Sequence, residues 1–483
     1  MISYAQSVLV VGAGPTGLAL ACGLRAAGVP ARIVDAAPGP ATTSRALGLQ
    51  PRGIEVLDRL GALGDLPERG IKLRAVVINV AGRELTRLAV GGTSRLVKRP
   101  GVTLSQAAVE ARLRDRLAQL GGAVEWGQRV TGTDGADWVV GCDGAHSQIR
   151  KAAGIGFPGV PLIERFLLAD LHADLPLVRD AAYTWLDGDE MFALFPLPGT
   201  DLWRVLVPQP ADQPEDLDPG QHLALIVRLL AERTGLPAGA VTGCEWTSSF
   251  RIHRRLADTY RRARVLLAGD AAHIHSPLGG QGMNTGLGDA ENLAWKLALV
   301  ATGRADERLL DTYEAERRPI AAEVLDNTSA MTRLMLGDGA ARRFMRDHVL
   351  VPLMNRPFVQ RRIWEASSQL RITYRRGPLG SAGPKIGFGP VAGDRIADLD
   401  CIRSDGTATR LHTELGGRWA VLAEDDTAAR AAEDRLGAGS VVALRHRGPA
   451  LLIRPDGHLA CRGDAAGWLE KALGARPRQP AAR

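Results

Sequence analysis

Residues 7–35 read SVLVVGAGPTGLALACGLRAAGVPARIVD, and they decide the fold. Ser7 to Val11 is a short β-branched apolar run, as expected for a parallel strand buried on both faces. Gly12-Ala13-Gly14-Pro15-Thr16-Gly17 follows at once and gives GxGxxG. A helical pattern over Leu18 to Ala27 ends at Gly28, and a second strand over Ala31 to Asp35 closes the unit. In this arrangement Gly12 permits a tight turn and Gly14 lets backbone approach a pyrophosphate. Gly17 lets the helix pack closely on the strand, and the helix N-terminus offers free N–H groups. Asp35, ending the second strand, is placed to accept hydrogen bonds from ribose hydroxyls. The unit predicts dinucleotide binding, without choosing between FAD and NAD.

Two distant segments repeat the theme of a buried strand running into a turn with an acid. One is DWVVGCDGAHS, residues 137–147; the other is RVLLAGDAAH, residues 264–273. With GxGxxG, DG (Asp143-Gly144) and GD (Gly269-Asp270) in this order, the chain resembles the class A flavoprotein monooxygenases, the p-hydroxybenzoate hydroxylase group. It is most similar to the aromatic polyketide hydroxylases of angucycline, anthracycline and tetracycline pathways. The most specific match is GDAAHIHSPLGGQGMNTGLGDAENLAWKLA, residues 269–298, and the likeness extends to LLIRPDGHLA near the C-terminus.

The resemblance implies an α/β FAD-binding Rossmann-like domain, an antiparallel-sheet substrate domain and a thioredoxin-like C-terminal domain. It implies FAD as cofactor and NADPH, or NADH, as transient co-substrate, with Asp143 implicated in both dinucleotides. Oxygen would react to a flavin C4a-hydroperoxide whose distal OH passes to a phenolic ring. Asp270 would bind the ribityl chain. The loop Pro277 to Asn284 would open a helix aimed at the flavin, with Leu287, Ala290, Ala294 and Leu297 on one face. Backbone N–H groups near Met283 and Asn284 would stabilise charge on the reduced ring, and Gly279, Gly280 and Gly282 would leave room for a flat ring. Arg45, Gln106 and Val130 match positions at the pyrophosphate and flavin, at a helix start touching FAD, and in a strand meeting the adenine. His273 and His275 read as packing residues. No catalytic acid or base is assigned.

The chain departs from the family after Val130, where only Thr131 to Ala136 precedes the next strand; part of a β-meander is expected to be missing. Asp35 stands where Glu is commoner. No second GxGxxG follows, so no separate NAD(P)H domain is expected.

Division of the 483 residues is expected as 1–160 plus 250–375 for FAD, 161–249 for substrate, a 376–390 linker and a 391–483 C-terminal domain. Strands within 71–100 are candidates to join the substrate sheet. Strands are predicted at Phe166–Ala173, Ala181–Leu186, Met191–Phe195 and Trp203–Val207, and a helix at Gln221–Arg233. Tyr183, Trp185, Met191, Phe192 and Phe195 are candidate pocket walls. An Arg454-Pro455-Asp456-Gly457 turn is expected between the last strands.

The net charge of +7 comes from scattered arginines without an aromatic platform, so nucleic-acid binding is not expected. Five cysteines with no CxxC and no metal-ligand spacing fit a reducing cytoplasm and no metal. No apolar run reaches membrane-spanning length, and glycines break the apolar start, which argues against a signal peptide. A small aromatic substrate, O2, and a monomer or homodimer complete the expectation. Rival readings are Baeyer–Villiger oxidation or antibiotic inactivation by a related flavin monooxygenase, a flavin reductase or dehydrogenase that never activates oxygen, and a non-catalytic flavin-binding protein.

Overall fold

The computed structural model describes residues 6–42, 46–94, 96–187, 190–214, 217–274, 280–336, 339, 344–381 and 389–474. The strand Val8–Val11 lies inside a six-stranded sheet. Ala31–Val34 and then Val124–Glu125 lie on one side of it; Trp138–Gly141, Val265–Leu267 and an antiparallel edge, Arg261–Arg262, lie on the other. Helix Pro15–Ala26 covers the sheet and packs on helix Gly282–Ala301. A Cβ on Gly23 would stand 2.6 Å from that of Ala294, so the crossing tolerates only glycine there.

Helix Gly282–Ala301 differs from its expected form. It is not amphipathic. Every residue from Met283 to Ala301 is buried, Asp289, Glu291, Asn292 and Lys296 included. A buried charge needs a partner, and the partners come from distant segments. Arg317 and His273 hold Asp289; Arg59 and Arg52 hold Glu291; Glu316 holds Lys296.

The second sheet has eight strands, in the order His273–Ile274, Val241–Leu256, Gly159–Ala173, Leu202–Pro208, Glu190–Pro196, Ala181–Asp187, Ala75–Val80, Arg83–Ala89. It is mixed rather than purely antiparallel, because Ala181–Asp187 runs parallel to Ala75–Val80. The sixteen-residue strand Val241–Leu256 had no counterpart in the sequence reading. Its alternation is blurred by polar residues and by three register shifts against Gly159–Ala173. Helix Pro219–Thr234, opened by an Asp218/Gln221 capping box, covers one face through Leu225, Ile226, Leu229 and Leu230.

That helix divides the five candidate pocket walls. Tyr183, Trp185 and Phe192 pack beneath it as core, which corrects their assignment as walls. Met191 and Phe195 lie on the opposite face. The strands were legible, but alternation alone does not say which face a helix will close.

The third sheet runs Ala408–Arg410, Asp400–Arg403, Val441–Arg445, Trp419–Ala423, Leu451–Ile453, Leu459–Arg462. Helices Thr427–Leu436 and Ala465–Leu473 accompany it. Its Arg454–Gly457 turn does not face water. Arg454 and Asp456 are buried against the Gly282–Ala301 and Asp311–Leu336 helices, and His458 is buried beside them against the Tyr374 ring. Arg454 grips Glu316 with two bonds of 2.8 and 2.9 Å and also pairs with Asp456. Asn292 and Trp295 donate to Asp456, each at 3.2 Å.

This junction makes stability depend on pH. Burial pushes the His458 imidazole down to about 4, against the opposing pull of Asp456. The unfolded chain takes up that proton near pH 6.5 and the folded chain does not. Stability is therefore full above about pH 6.5 and falls as pH drops from there toward 4. Melting temperature should fall across this window, with a shallower slope in His458→Gln; a slope unchanged by that substitution contradicts the account. Arg454→Met leaves buried carboxylates short of a cation and should cost about 3–5 kcal/mol in denaturant unfolding.

Candidate FAD site

The parallel sheet brings the three motifs together at one edge. Val11 is level with both Val34 and Gly141, and Leu267 is level with Gly141. The chain leaves these four strands at Gly12, Asp35, Cys142-Asp143 and Ala268-Gly269-Asp270. All four exits therefore lie at the carboxyl edge of the sheet, the edge where open α/β sheets bind ligands.

The three glycines of GxGxxG differ physically. Gly12 has φ +106°, and a Cβ there would stand 2.3 Å from the Cys142 carbonyl oxygen. A Cβ on Gly17 would stand 1.9 Å from the Gly12 carbonyl oxygen. Gly14 has nothing within 4 Å in that direction. Two glycines serve the protein's own packing; the third faces space that a ligand can fill. Pro15 and Thr16 start the helix, and Thr16 is wedged between Gly269 and Gly286, where a Cβ would meet its Oγ1 at 2.6 and 2.3 Å. Asp35 accepts from the Ala13 N–H at 2.7 Å and the Ala37 N–H at 2.8 Å, and stays half-exposed. It thus fixes the glycine loop from the neighbouring strand.

Asp143 caps helix Gln148–Ala152, accepting from the Gln148 and Ile149 N–H groups at 2.7 and 3.2 Å and from the Ser147 hydroxyl. Arg150, absent from the sequence reading, joins the two acidic loops. It donates to the carbonyls of Ala145 and Ala271 at 3.0 and 2.9 Å. Asp270 is exposed. Gly269 donates to Asp289 at 3.1 Å, and His273 meets the same carboxylate at 2.6 Å. Burial alone would raise the Asp289 carboxyl, but His273 and Arg317 outweigh it and hold the group below its ordinary value. His273 is thus a buried structural residue, and Asp289 is the hidden anchor of the GD turn.

Asn284 sits in the first turn of helix Gly282–Ala301, fully buried. Its Oδ1 accepts from the Gln50 N–H, and its Nδ2 donates to the Gly48 and Gly280 carbonyls, all at 2.9 Å. The side chain ties the loop to the helix start. What the turn can offer a ligand is backbone: the first N–H groups of a helix have no helical acceptor. Gln106 starts helix Gln106–Gln119, exchanging hydrogen bonds with the Ala46 backbone and donating to Glu110 at 2.8 Å.

Val130 corrects the sequence reading. It lies in no strand but in the turn-rich segment between Val124–Glu125 and Trp138–Gly141, half-buried against the core. Just before it the chain is tied to the sheet: Gly127 donates to the Ala37 carbonyl and Gln128 to that of Asp35, both at 2.8 Å. Arg45, His275, Pro277 and Gly279 lie outside the described residues. Among the described residues, one group has metal-ligand character, Asp58, Asp398 and His412. Arg410 already pairs with both carboxylates and Arg99 with Asp58, so cationic side chains fill the place of an ion.

Residues 5–328 match the FAD binding domain family. The chain is 34% identical to 6-methylpretetramide 4-monooxygenase of Streptomyces rimosus, covering 95% of this chain and 91% of that protein. It is 35% identical to a rifampicin monooxygenase of Streptomyces venezuelae, covering 95% of each. The structure of an anhydrotetracycline hydroxylase from Streptomyces rimosus superposes with a TM-score of 0.77 at 32% identity, over 98% of this chain and 100% of that one. Together with the converging strand ends, these likenesses show that the chain belongs to the FAD binding domain family and, within it, to the class A flavoprotein monooxygenases.

Proposed function

We propose that the protein hydroxylates an aromatic polyketide or related phenolic substrate with NAD(P)H, NADPH by preference, and O2. The observation that carries this reading is the route of the chain after the GD turn. Gly269–Ala271 leads straight into His273–Ile274, the edge strand of the second sheet. The cofactor edge and the apolar sheet are thus one continuous construction.

FAD, when bound, supplies electron transfer from the nicotinamide and activation of oxygen. The chain's residues hold and surround it. Gly12, Ala13, Gly14, Pro15, Thr16 and Gly17 with their helix N-terminus would take the pyrophosphate, and Asp35 a ribose. Asp143 would shape its loop and, as the resemblance implies, serve both dinucleotides. Gly269 and Asp270 would meet the ribityl chain, and Gln106 the ring side. Backbone N–H groups of Gly280, Gly282, Met283 and Asn284 would stabilise negative charge on the ring. Met191 and Phe195 would give the substrate an apolar wall. Arg45 and Pro277 keep their assignment from the resemblance.

The division expected from the sequence is proposed with the substrate unit taking in the whole of strands Gly159–Ala173 and Val241–Leu256, within a cytoplasmic enzyme. The 391–483 unit would be thioredoxin-like without redox chemistry, as it holds no CxxC. The likeness to a rifampicin monooxygenase favours one second reading, antibiotic inactivation.

Purified enzyme should oxidise NADPH faster with a polycyclic phenol present and give a product carrying one atom from isotopically labelled O2. Flavin reduction without oxygen in the product favours the reductase class instead, and consumption of rifampicin favours inactivation. The glycines give a separate test. Gly14→Leu should fold normally but lose at least about tenfold in FAD affinity, roughly 1.4 kcal/mol. Gly17→Ala should lower folded stability itself by about 1–3 kcal/mol, since its Cβ meets backbone.

A further inference from the structure

On the face of the second sheet away from helix Pro219–Thr234, one row crosses four strands: Phe195 opposite Arg204, Arg204 opposite Asp170, Asp170 opposite Trp246. Arg204 and Asp170 are buried. Arg204 donates to Asp170 through Nε at 2.5 Å and Nη2 at 2.7 Å. The Trp246 indole N–H donates to the same carboxylate at 2.8 Å. The Arg204 guanidinium also lies over the Trp246 ring, 5.1 Å from its centre. One carboxylate and one cation therefore fix the plane of an indole that itself stays only partly buried.

The opposite face is closed by helix core. On this one Met191, Ala193, Phe195, Leu206, Trp246 and Phe250 form an apolar surface, packed in part by Val351, Met354 and Ile363. The segment carrying those three continues to Ser368 and Gln369. Ser368 accepts from the Arg52 N–H, and Gln369 donates to the Thr285 hydroxyl at 3.1 Å. Thr285 belongs to the first turns of helix Gly282–Ala301, the turn proposed to meet the flavin. Sheet face, covering segment and helix start thus border one region.

We propose that Trp246 is an aromatic wall of the substrate site, set in its plane by Asp170 and Arg204, and that it selects flat polycyclic ligands. The inference rests on the proposed function. Its chemistry follows from the hydrogen bonds. With the indole N–H spent on Asp170, Trp246 offers a ligand a ring face and no donor. Ring faces recognise extended aromatic surface rather than a carboxylate or sugar. The guanidinium keeps the ring from swinging toward the sheet.

The test is binding of 1,5-dihydroxyanthraquinone to the oxidised, FAD-loaded enzyme without NADPH, read from perturbation of the flavin absorption. In Trp246→Leu the Kd should rise about tenfold, the scale of a lost aromatic contact with its buried area. In Trp246→Phe, which keeps a ring but loses the bond to Asp170, it should rise severalfold. A flavin-replete Trp246→Leu with the wild-type Kd overturns the proposal. If Trp246→Leu does not retain flavin, the Phe variant decides in the same way. Wild-type enzyme that binds the probe but, in a separate assay with NADPH and O2, transfers oxygen to no polycyclic phenol sinks the monooxygenase reading alone and leaves the Kd comparison intact.

Discussion

The burial of charge along helix Gly282–Ala301 constrains everything around it. A carboxylate moved from water into protein loses several kcal/mol even after relaxation, and only well-placed partners offset that. Asp289, Glu291 and Lys296 follow one another down this helix; Asp289 and Lys296 draw on the adjacent Arg317 and Glu316 of helix Asp311–Leu336, and Glu291 draws on Arg59, more than two hundred positions away. Such pairs add little net stability compared with a packed apolar core. What they do is fix position. Asp289 holds the Gly269 N–H and His273, so the GD turn cannot shift relative to the helix without stranding a buried charge. The first turn of that helix is the end proposed to meet the flavin. A cofactor site assembled from segments more than two hundred residues apart is kept in register by this ionic spine.

The C-terminal unit belongs to the same constraint. Its Arg454–Gly457 turn sets a cation and an anion against the helices, and Trp419 meets Trp295 edge to face at 5.1 Å between centres. This unit is therefore not an idle appendage, because it completes the charge pairing of Glu316. Unpairing that junction exposes Lys296 and Glu316 to each other's incomplete compensation, so the effect of a change here should travel to the cofactor end.

What was legible in the sequence was local. Strand, glycine turn, helix and terminal acid occupy 29 consecutive residues, 7–35, and their periodicities survive folding unchanged. The DG and GD strands were legible for the same reason, and the shared edge followed from parallel pairing. The pairing of charges was not. Arg52 and Asp456 touch across 404 positions, and Arg59 and Glu291 across 232. No pattern within a window carries that information. The Arg-Pro-Asp-Gly turn forms where it was expected, but turns are ordinarily wet and nothing local says that this one is the inserted part.

The aromatic residues show the finer limit. Tyr183, Trp185 and Phe192 are as aromatic as Phe195 and Trp246, and they sit on neighbouring strands. Their fates separate because side chains alternate across a sheet and one helix closes one face. A strand's residues read alike until its neighbours' register is known. Trp246 was hidden further, on a strand with bulges that erase alternation. Its orientation also depends on Asp170 and Arg204, which lie opposite only after three strands have paired. Residues that shape a substrate pocket are thus the least local in the chain, whereas those that hold the cofactor are the most. That contrast is what one expects of a fold in which a fixed cofactor-binding sequence serves many substrates through a sheet whose side chains vary freely.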